Sequence, residues 1–299
     1  MGTRAQNASD WTSGCDNESA QAGEHPNQGR GVADEREPYS NGPIVVKIGG
    51  SIFGSLDTTL EDLVDIQREG AHPVVVHGGA NLISQWMRKR GVRPRFIRGL
   101  RVTDSDSLEV VVAVLTGLVN KSLVSSVTQI GGRAIGFSGV DGGMIRAEVK
   151  DPALGLVGDI VSVDPAPIEA VISSGFIPII APLALNIAGF SSDGVNPFLN
   201  VNADTVAGEI AVALSAERLV FTTDVGGVMD SSRRVIPRLT KRQAKGLLSS
   251  NVIDGGMIPK ISACLSALGD VTSSHIIDGR KPHSLRDVLD GDASGTRVG

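Results

Sequence analysis

Two short apolar runs, each feeding a pair of glycines and then a helix, constrain this chain more than any other feature. Residues 44–48 (Ile-Val-Val-Lys-Ile) run into Gly49-Gly50-Ser51, and residues 73–76 run into His77-Gly78-Gly79. Between them, residues 57–69 carry helical periodicity. Strand, glycine turn and helix in immediate repetition require a parallel sheet, because parallel neighbours need a crossover rather than a hairpin. The expected class is therefore α/β.

The rest of the chain extends that pattern. A long helix opens at Asp104 or Asp106, with Leu108, Val111, Val112, Leu115, Leu118 and Val119 at helical spacing, and ends at Gly131-Gly132. Further strands are predicted at 134–137, 160–163, 177–181, 219–223 and 274–277, and further helices at 166–174, 203–215, 240–248 and 257–268. Segments 144–150 and 185–202 read as shorter hairpins decorating the sheet.

Composition excludes several functions. Glycine is 37 of 299 residues, well above the usual ~7%, and the excess belongs in tight turns and ligand-touching loops. Aromatics are only 3% and the formal net charge is -5, so neither a stacking platform nor a basic face for nucleic acid is available. Cys15 and Cys264 supply no metal-ligand set and no disulfide framework, as in a reducing compartment. The apolar stretch 176–190 is interrupted by Pro178, Pro182 and Asn186, so no membrane span is predicted and a cytoplasmic location is expected. Residues 1–42 have Val32 as their sole branched aliphatic residue and carry -4 of the net charge, too little apolar surface to offset ordering. They read as a disordered tail that the fold can lose.

The chemistry-bearing candidates are glycine turns and the lysines beside them. GxxxxGK[ST], a GxGxxG after a strand, GxSxG and HExxH are all absent. Backbone N–H groups at Gly49-Gly50 and Gly78-Gly79, each entering a helix, suit phosphate or carboxylate oxygens. Lys47 interrupts an apolar strand, so either an anion lies beside it or the strand is an edge. Lys260 follows Gly255-Gly256-Met257 into a helix; spacing alone reads it as a solvated surface lysine. In Asn200-Val201-Asn202-Ala203-Asp204, helix capping explains one or two polar residues but not three. Arg101 either grips a carboxylate or decorates a surface hairpin, and His77 is either a packed, hydrogen-bonded side chain or a base.

At these residues the chain resembles the amino acid kinase family. The ordered segments KIGGS, HGGA, GLRVTD, GLVNK, GFSGVDG, GFIPIIAPL, NVNAD, TTDVGGVMD, GGMIPK, HIIDGR and GTRVG cover residues 44–299. GLRVTD, NVNAD and GGMIPK narrow the resemblance to the branch acting on N-acetyl-L-glutamate. It implies a three-layer αβα sandwich around a mainly parallel sheet. Within a kinase domain at 43–299, the acid substrate and dimerisation would lie at 43–183 and ATP at 184–299, divided near Leu183. The implied reaction moves the γ-phosphoryl group of ATP to the side-chain carboxylate, with Mg²⁺ on the nucleotide phosphates and no direct protein ligand. Lys47 and Lys260 would stabilise the transferring charge and Asp204 would orient both. Gly78, Gly79, Ala80, Arg101 and Asn200 would hold the acid, whereas Gly49, Gly50, Thr223, Asp224, Gly256 and Met257 would hold phosphates and nucleotide. A homodimer through the helix at 104–130 is implied as a minimum, with a hexamer and control by arginine or a regulatory protein left open.

Two departures stand out. HGGA replaces the usual HGGG, and Ala80 cannot adopt a left-handed conformation cheaply; Val140 occupies the place of a common lysine in Ser138-Gly139-Val140-Asp141-Gly142. Two alternatives share the fold. A kinase for carrier-protein-linked aminoadipate or glutamate should lose the GLRVT and NVNAD forms, and a non-catalytic amino-acid sensor should lose a phosphate lysine; neither loss is present.

Overall fold

Residues 44–48 and 73–76 lack the alternation of a half-exposed strand, and both form strands buried on two faces, as parallel strands between helical layers must be. The computed structural model describes residues 42–49, 58–190, 196–250, 253, 255–291 and 295–299. The tail at 1–41 and Gly50 lie outside them. In chain order the elements begin with β1 (Pro43–Ile48), α1 (Thr59–Arg68), β2 (His72–His77), α2 (Ala80–Lys89), β3 (Phe96–Ile97) and β4 (Leu100–Arg101). Next come α3 (Ser105–Val112) and α4 (Asn120–Gln129), joined by a π-helical stretch Ala113–Val119, then β5 (Ala134–Ser138), β6 (Ile145–Val149), β7 (Gly158–Val163) and α5 (Ala166–Ser173). The chain continues through β8 (Ile177–Ala181), β9 (Leu183–Asn186), β10 (Phe198–Asn200), α6 (Ala203–Ala213), β11 (Arg218–Thr223), β12 (Arg238–Leu239) and α7 (Lys241–Ser249). It ends with α8 (Met257–Ala267), β13 (Ser273–Asp278), α9 (Ser284–Leu289) and β14 (Thr296–Val298).

An eight-stranded sheet runs β12-β14-β13-β11-β1-β2-β8-β5, with only the β13–β14 pairing antiparallel. Helices cover both faces. Val45, Val74, Val76 and Phe221 pack with α6 and α8 on one side, while Ile44, Val46, Val75 and Val220 pack with α1, the long helix and α9 on the other. The three-layer reading follows from these two apolar clusters. A second, four-stranded sheet, β10-β9-β6-β7, contains the hairpin predicted at 185–202 as β9–β10, whereas the hairpin predicted at 144–150 is the single strand β6, whose antiparallel partner is β7. It also takes β7, the strand expected at 160–163, which therefore lies outside the main sheet.

The long helix Ser105–Gln129 is, among the described residues, the one helix long and apolar enough to cross a membrane. The sequence reading overlooked it in favour of 176–190. Leu108, Val111, Leu115, Val119, Leu123 and Val127 are buried in the core under the main sheet, so its apolarity is spent on packing. Asp104 caps it by accepting from Ser107 N–H at 2.9 Å. The π-helical stretch was invisible in the sequence, because Ala-Val-Leu-Thr-Gly-Leu-Val reads as ordinary helix.

His77 resolves in favour of packing. Its Nδ1–H donates to Gly78 O at 3.0 Å, and Asn120 Nδ2 donates to its Nε2 at 3.2 Å, which fixes the neutral tautomer. Burial holds the ring down to about 4, with Lys47 and Lys121 adding to the effect and the Gly78 bond opposing it. The folded protein thus keeps His77 neutral while the unfolded chain takes up a proton below about 6.5. Its contribution to stability is full above that pH and is lost as pH falls toward 4, by up to about 3 kcal/mol. Denaturant melts between pH 7.5 and 4 should show this decline, made shallower by His77→Gln; His275, also held near 4 by burial, contributes a slope of the same sign to both proteins. Equal slopes in parent and variant would contradict the assignment.

Candidate active site

The main sheet reverses its order of growth at β1: β2 lies on one side and β11 on the other. Clefts in parallel sheets open at the carboxyl ends of the strands flanking such a reversal. A cleft of about 900 Å³ opens there, and Lys47, Gly49, Gly78, Gly79, Ala80, Arg101, Asn200, Asp204, Thr223, Asp224, Gly256, Met257 and Lys260 all line it. Of the site residues read from the sequence, Gly50 alone lies outside the described residues.

Lys47 occupies an interior strand, paired with Phe221 on β11 and Val76 on β2, so the edge-strand explanation fails. Side chains alternate along a strand, which sends Lys47 to the same face as Val45, toward α6 and α8. Asp204 stands at the start of α6 and Lys260 one turn into α8. Lys47 Nζ lies 2.9 Å from Asp204 Oδ1 outside hydrogen-bond alignment, making that contact an ion pair, while Lys260 Nζ donates to Oδ2 at 3.0 Å. Lys260 also donates to Gly256 O at 3.2 Å. Its side chain is 11% exposed, which corrects the surface-lysine reading. Burial pulls the Lys47 ammonium below its ordinary value, opposed by Asp204 and reinforced by Lys260. Burial by itself would raise the Asp204 carboxyl, but the two ammonium groups outweigh it and hold the group ionised, below its usual range. Two cations therefore converge on one anion, leaving net positive charge at the floor of the cleft.

Local geometry explains why three polar residues crowd 200–204. Asn202 is the helix cap, its Oδ1 accepting from Asp204 N–H at 2.9 Å and Thr205 N–H at 3.1 Å. Asp204 is thereby freed to face the lysines, and Asn200 belongs to β10. At the other wall, α2 begins at Ala80 directly after Gly79, with no side-chain cap. Its first N–H groups have no intrahelical acceptor and face the cleft. Ala80 is right-handed helix, so the left-handed strain expected of HGGA does not arise. Gly79 packs closely instead: a Cβ there would stand 2.7 Å from Leu115 Cδ2, in the π-helical stretch, so the leucine tip would have to shift to admit a side chain.

Arg101 is buried in β4 rather than displayed on a hairpin surface. Its Nη2 donates to Ala80 O and Ser84 Oγ, both at 2.9 Å, its Nη1 to Met87 Sδ at 3.1 Å, and Phe96 stacks on it at 4.7 Å. None of these neighbours is an anion. Burial lowers its guanidinium to about 10, with Arg88 contributing, which leaves it cationic at neutral pH. On the far side, Thr223 Oγ1 accepts from Val225 N–H at 2.9 Å and shapes the turn that presents Asp224. Gly256, ahead of α8, likewise leaves helix N–H groups uncapped beside Lys260. Sequence reading missed Leu115, Phe96, Val157, Met229 and Arg233 on the cleft wall; no local spacing marks them, because each arrives by tertiary packing.

A family model described as amino acid kinase family matches residues 42–278. The acetylglutamate kinase of Dehalococcoides mccartyi (strain ATCC BAA-2266 / KCTC 15142 / 195) is 42% identical over 261 residues, 87% of this chain and 96% of that protein. The acetylglutamate kinase of Synechococcus elongatus (strain ATCC 33912 / PCC 7942 / FACHB-805) is 42% identical over 257 residues, 83% of each chain. Among solved structures, smu.665 from Streptococcus mutans UA159 superposes with a TM-score of 0.74 at 30% identity, covering 86% of this chain and 98% of that one. N-acetylglutamate synthase from Neisseria gonorrhoeae superposes with a TM-score of 0.74 at 23% identity over 86% of this chain and 59% of that one, a likeness of fold alone.

Proposed function

The chain belongs to the amino acid kinase family, and on that premise we propose that it is an ATP-dependent kinase that phosphorylates the side-chain carboxylate of N-acetyl-L-glutamate, a step of arginine biosynthesis. The observation that carries the chemistry is the Lys47–Asp204–Lys260 cluster at the cleft floor. Phosphoryl transfer to a carboxylate needs no general base, since the nucleophile is already ionised at pH 7; it needs alignment and cover for the charge on the phosphoryl oxygens.

In this reading the acid lies between Arg101, Asn200 and the N–H groups of Gly79 and Ala80, the Gly78 N–H being already donated to Ile48 O at 2.9 Å. The nucleotide lies toward Thr223, Asp224, Gly256 and Met257, with Gly49 against its phosphates. The phosphoryl group passes between the two ammonium groups. Asp204 holds both lysines in place and keeps them from drifting onto either substrate. Among the described residues no cluster of three acidic, histidine or cysteine side chains exists, and both Asp204 oxygens face lysines. A Mg²⁺ ion would be held chiefly by the nucleotide's phosphate oxygens, where it would neutralise their charge. The division near Leu183, a cytoplasmic location and a homodimer through the long helix, where Leu118 and Ile130 are exposed, belong to the same proposal.

The deciding test is ADP release measured in parallel with free N-acetylglutamate, free glutamate and aminoadipate. N-acetylglutamate should be strongly preferred; preference for either of the others would overturn the substrate assignment. Within the same assay Arg101→Lys keeps a charge but loses the planar fork. KM for N-acetylglutamate should rise roughly ten-fold with KM for ATP little changed. The opposite split would move Arg101 to the nucleotide side.

A further inference from the structure

We propose that Thr103, which does not line the cleft, is a positioning residue that decides which end of the Asn200 amide faces the acid substrate. This rests on the acid-binding role proposed above for Asn200 and Arg101. Thr103 is fully buried, and its hydroxyl stands between these two residues. Its Oγ1 lies 3.1 Å from Arg101 O and 3.2 Å from Asn200 Nδ2.

Hydrogen-bond inventory fixes the direction of both contacts. A hydroxyl has one proton, and a backbone carbonyl can only accept, so the Thr103 proton goes to Arg101 O. What the hydroxyl then offers Asn200 is a lone pair. It must receive an N–H, and the Asn200 side chain is held with Nδ2 toward Thr103. The second Nδ2 hydrogen remains for an acceptor on the acid. Without the hydroxyl nothing selects that orientation, and the amide is free to turn its oxygen toward an anionic ligand, where it repels rather than binds.

The surrounding backbone is built to hold this hydroxyl still. Thr103 N–H donates to Leu154 O at 2.9 Å, Leu156 N–H donates to Thr103 O at 2.7 Å, and Asn200 N–H donates to Leu156 O at 3.0 Å. One segment, 154–156, therefore ties Thr103, two residues past β4, to β10. Gly155 within it has φ of +71°, and a Cβ there would sit 2.5 Å from Thr103 O, so only glycine permits the approach. The hydroxyl, Arg101 and Asn200 thus move as a unit, whereas the nucleotide side of the cleft shares none of these bonds.

The test compares Thr103→Val, which keeps shape and loses the hydroxyl, with Thr103→Ser, which keeps the hydroxyl. Thr103→Val should raise KM for N-acetylglutamate roughly ten-fold, with kcat and KM for ATP within about two-fold, and Thr103→Ser should remain within about three-fold of the parent throughout. In an Asn200→Ala background, Thr103→Val should add almost nothing. The proposal is overturned by an unchanged KM for the acid, by equal changes for both substrates, by a serine variant as impaired as the valine one, or by full additivity with Asn200→Ala. If Thr103→Val does not fold, Thr103→Cys replaces it under the same outcomes. Failure of the parent to phosphorylate N-acetylglutamate would instead strike at the functional reading itself.

Discussion

Lys260→Ala is expected to lower kcat by roughly 10²–10³-fold while KM for N-acetylglutamate changes little, the range seen when one preorganised donor to a developing charge is removed. The ammonium is held by Asp204 at 3.0 Å and by Gly256 O at 3.2 Å, so it is positioned before any phosphoryl group arrives. Such a group favours the transition state over the bound substrates where it is aimed at charge that redistributes between the leaving and attacking oxygens during transfer. Lys47→Ala should act similarly. Steady-state kinetics on folded variants decide the matter, and a Lys260→Ala protein with parental kcat would remove the mechanism.

Asp204→Asn should have the largest effect on the protein itself. It leaves two ammonium groups near each other at the cleft floor, their side chains only 9% and 11% exposed, with no anion between them. Breaking a buried ion pair by removing one partner costs about 3–5 kcal/mol. Denaturant unfolding at pH 7 should show a loss of that order together with severe loss of activity. Part of the stability should return as the pH is raised above neutrality, because Lys47, already held below its ordinary value by burial, then sheds its proton. A variant as stable as the parent at pH 7, or one whose loss does not ease with pH, would show that Asp204 does not serve as their shared counterion.

What the sequence disclosed depended on how local each signal was. Lys47 stood out because it interrupts an apolar run, and Asp204 because a single cap leaves the crowded 200–204 segment with a spare acid. Spacing alone misread Lys260 as a surface residue, since its partner is a carboxylate 56 residues earlier in the chain, whereas the resemblance placed it in the site. Ile160–Val163 looked like any other strand; which sheet it joins depends on its antiparallel partner β6, not on its own residues. The π-helical stretch and the Thr103 hydroxyl had no signature at all, because one is a change in hydrogen-bond register and the other a matter of who donates to whom.

The central place of β1 also bears on how the protein is made. Its first neighbour, β2, is synthesised almost at once, but its second, β11, begins only at Arg218. While the intervening residues leave the ribosome, a strand of nearly unbroken aliphatic character has one edge without a partner, the condition under which nascent chains join wrong partners. Lys47, midway along that strand, is then a charge on an open edge. The residue that serves the cleft in the finished protein is thus placed to discourage edge-to-edge association in the unfinished one.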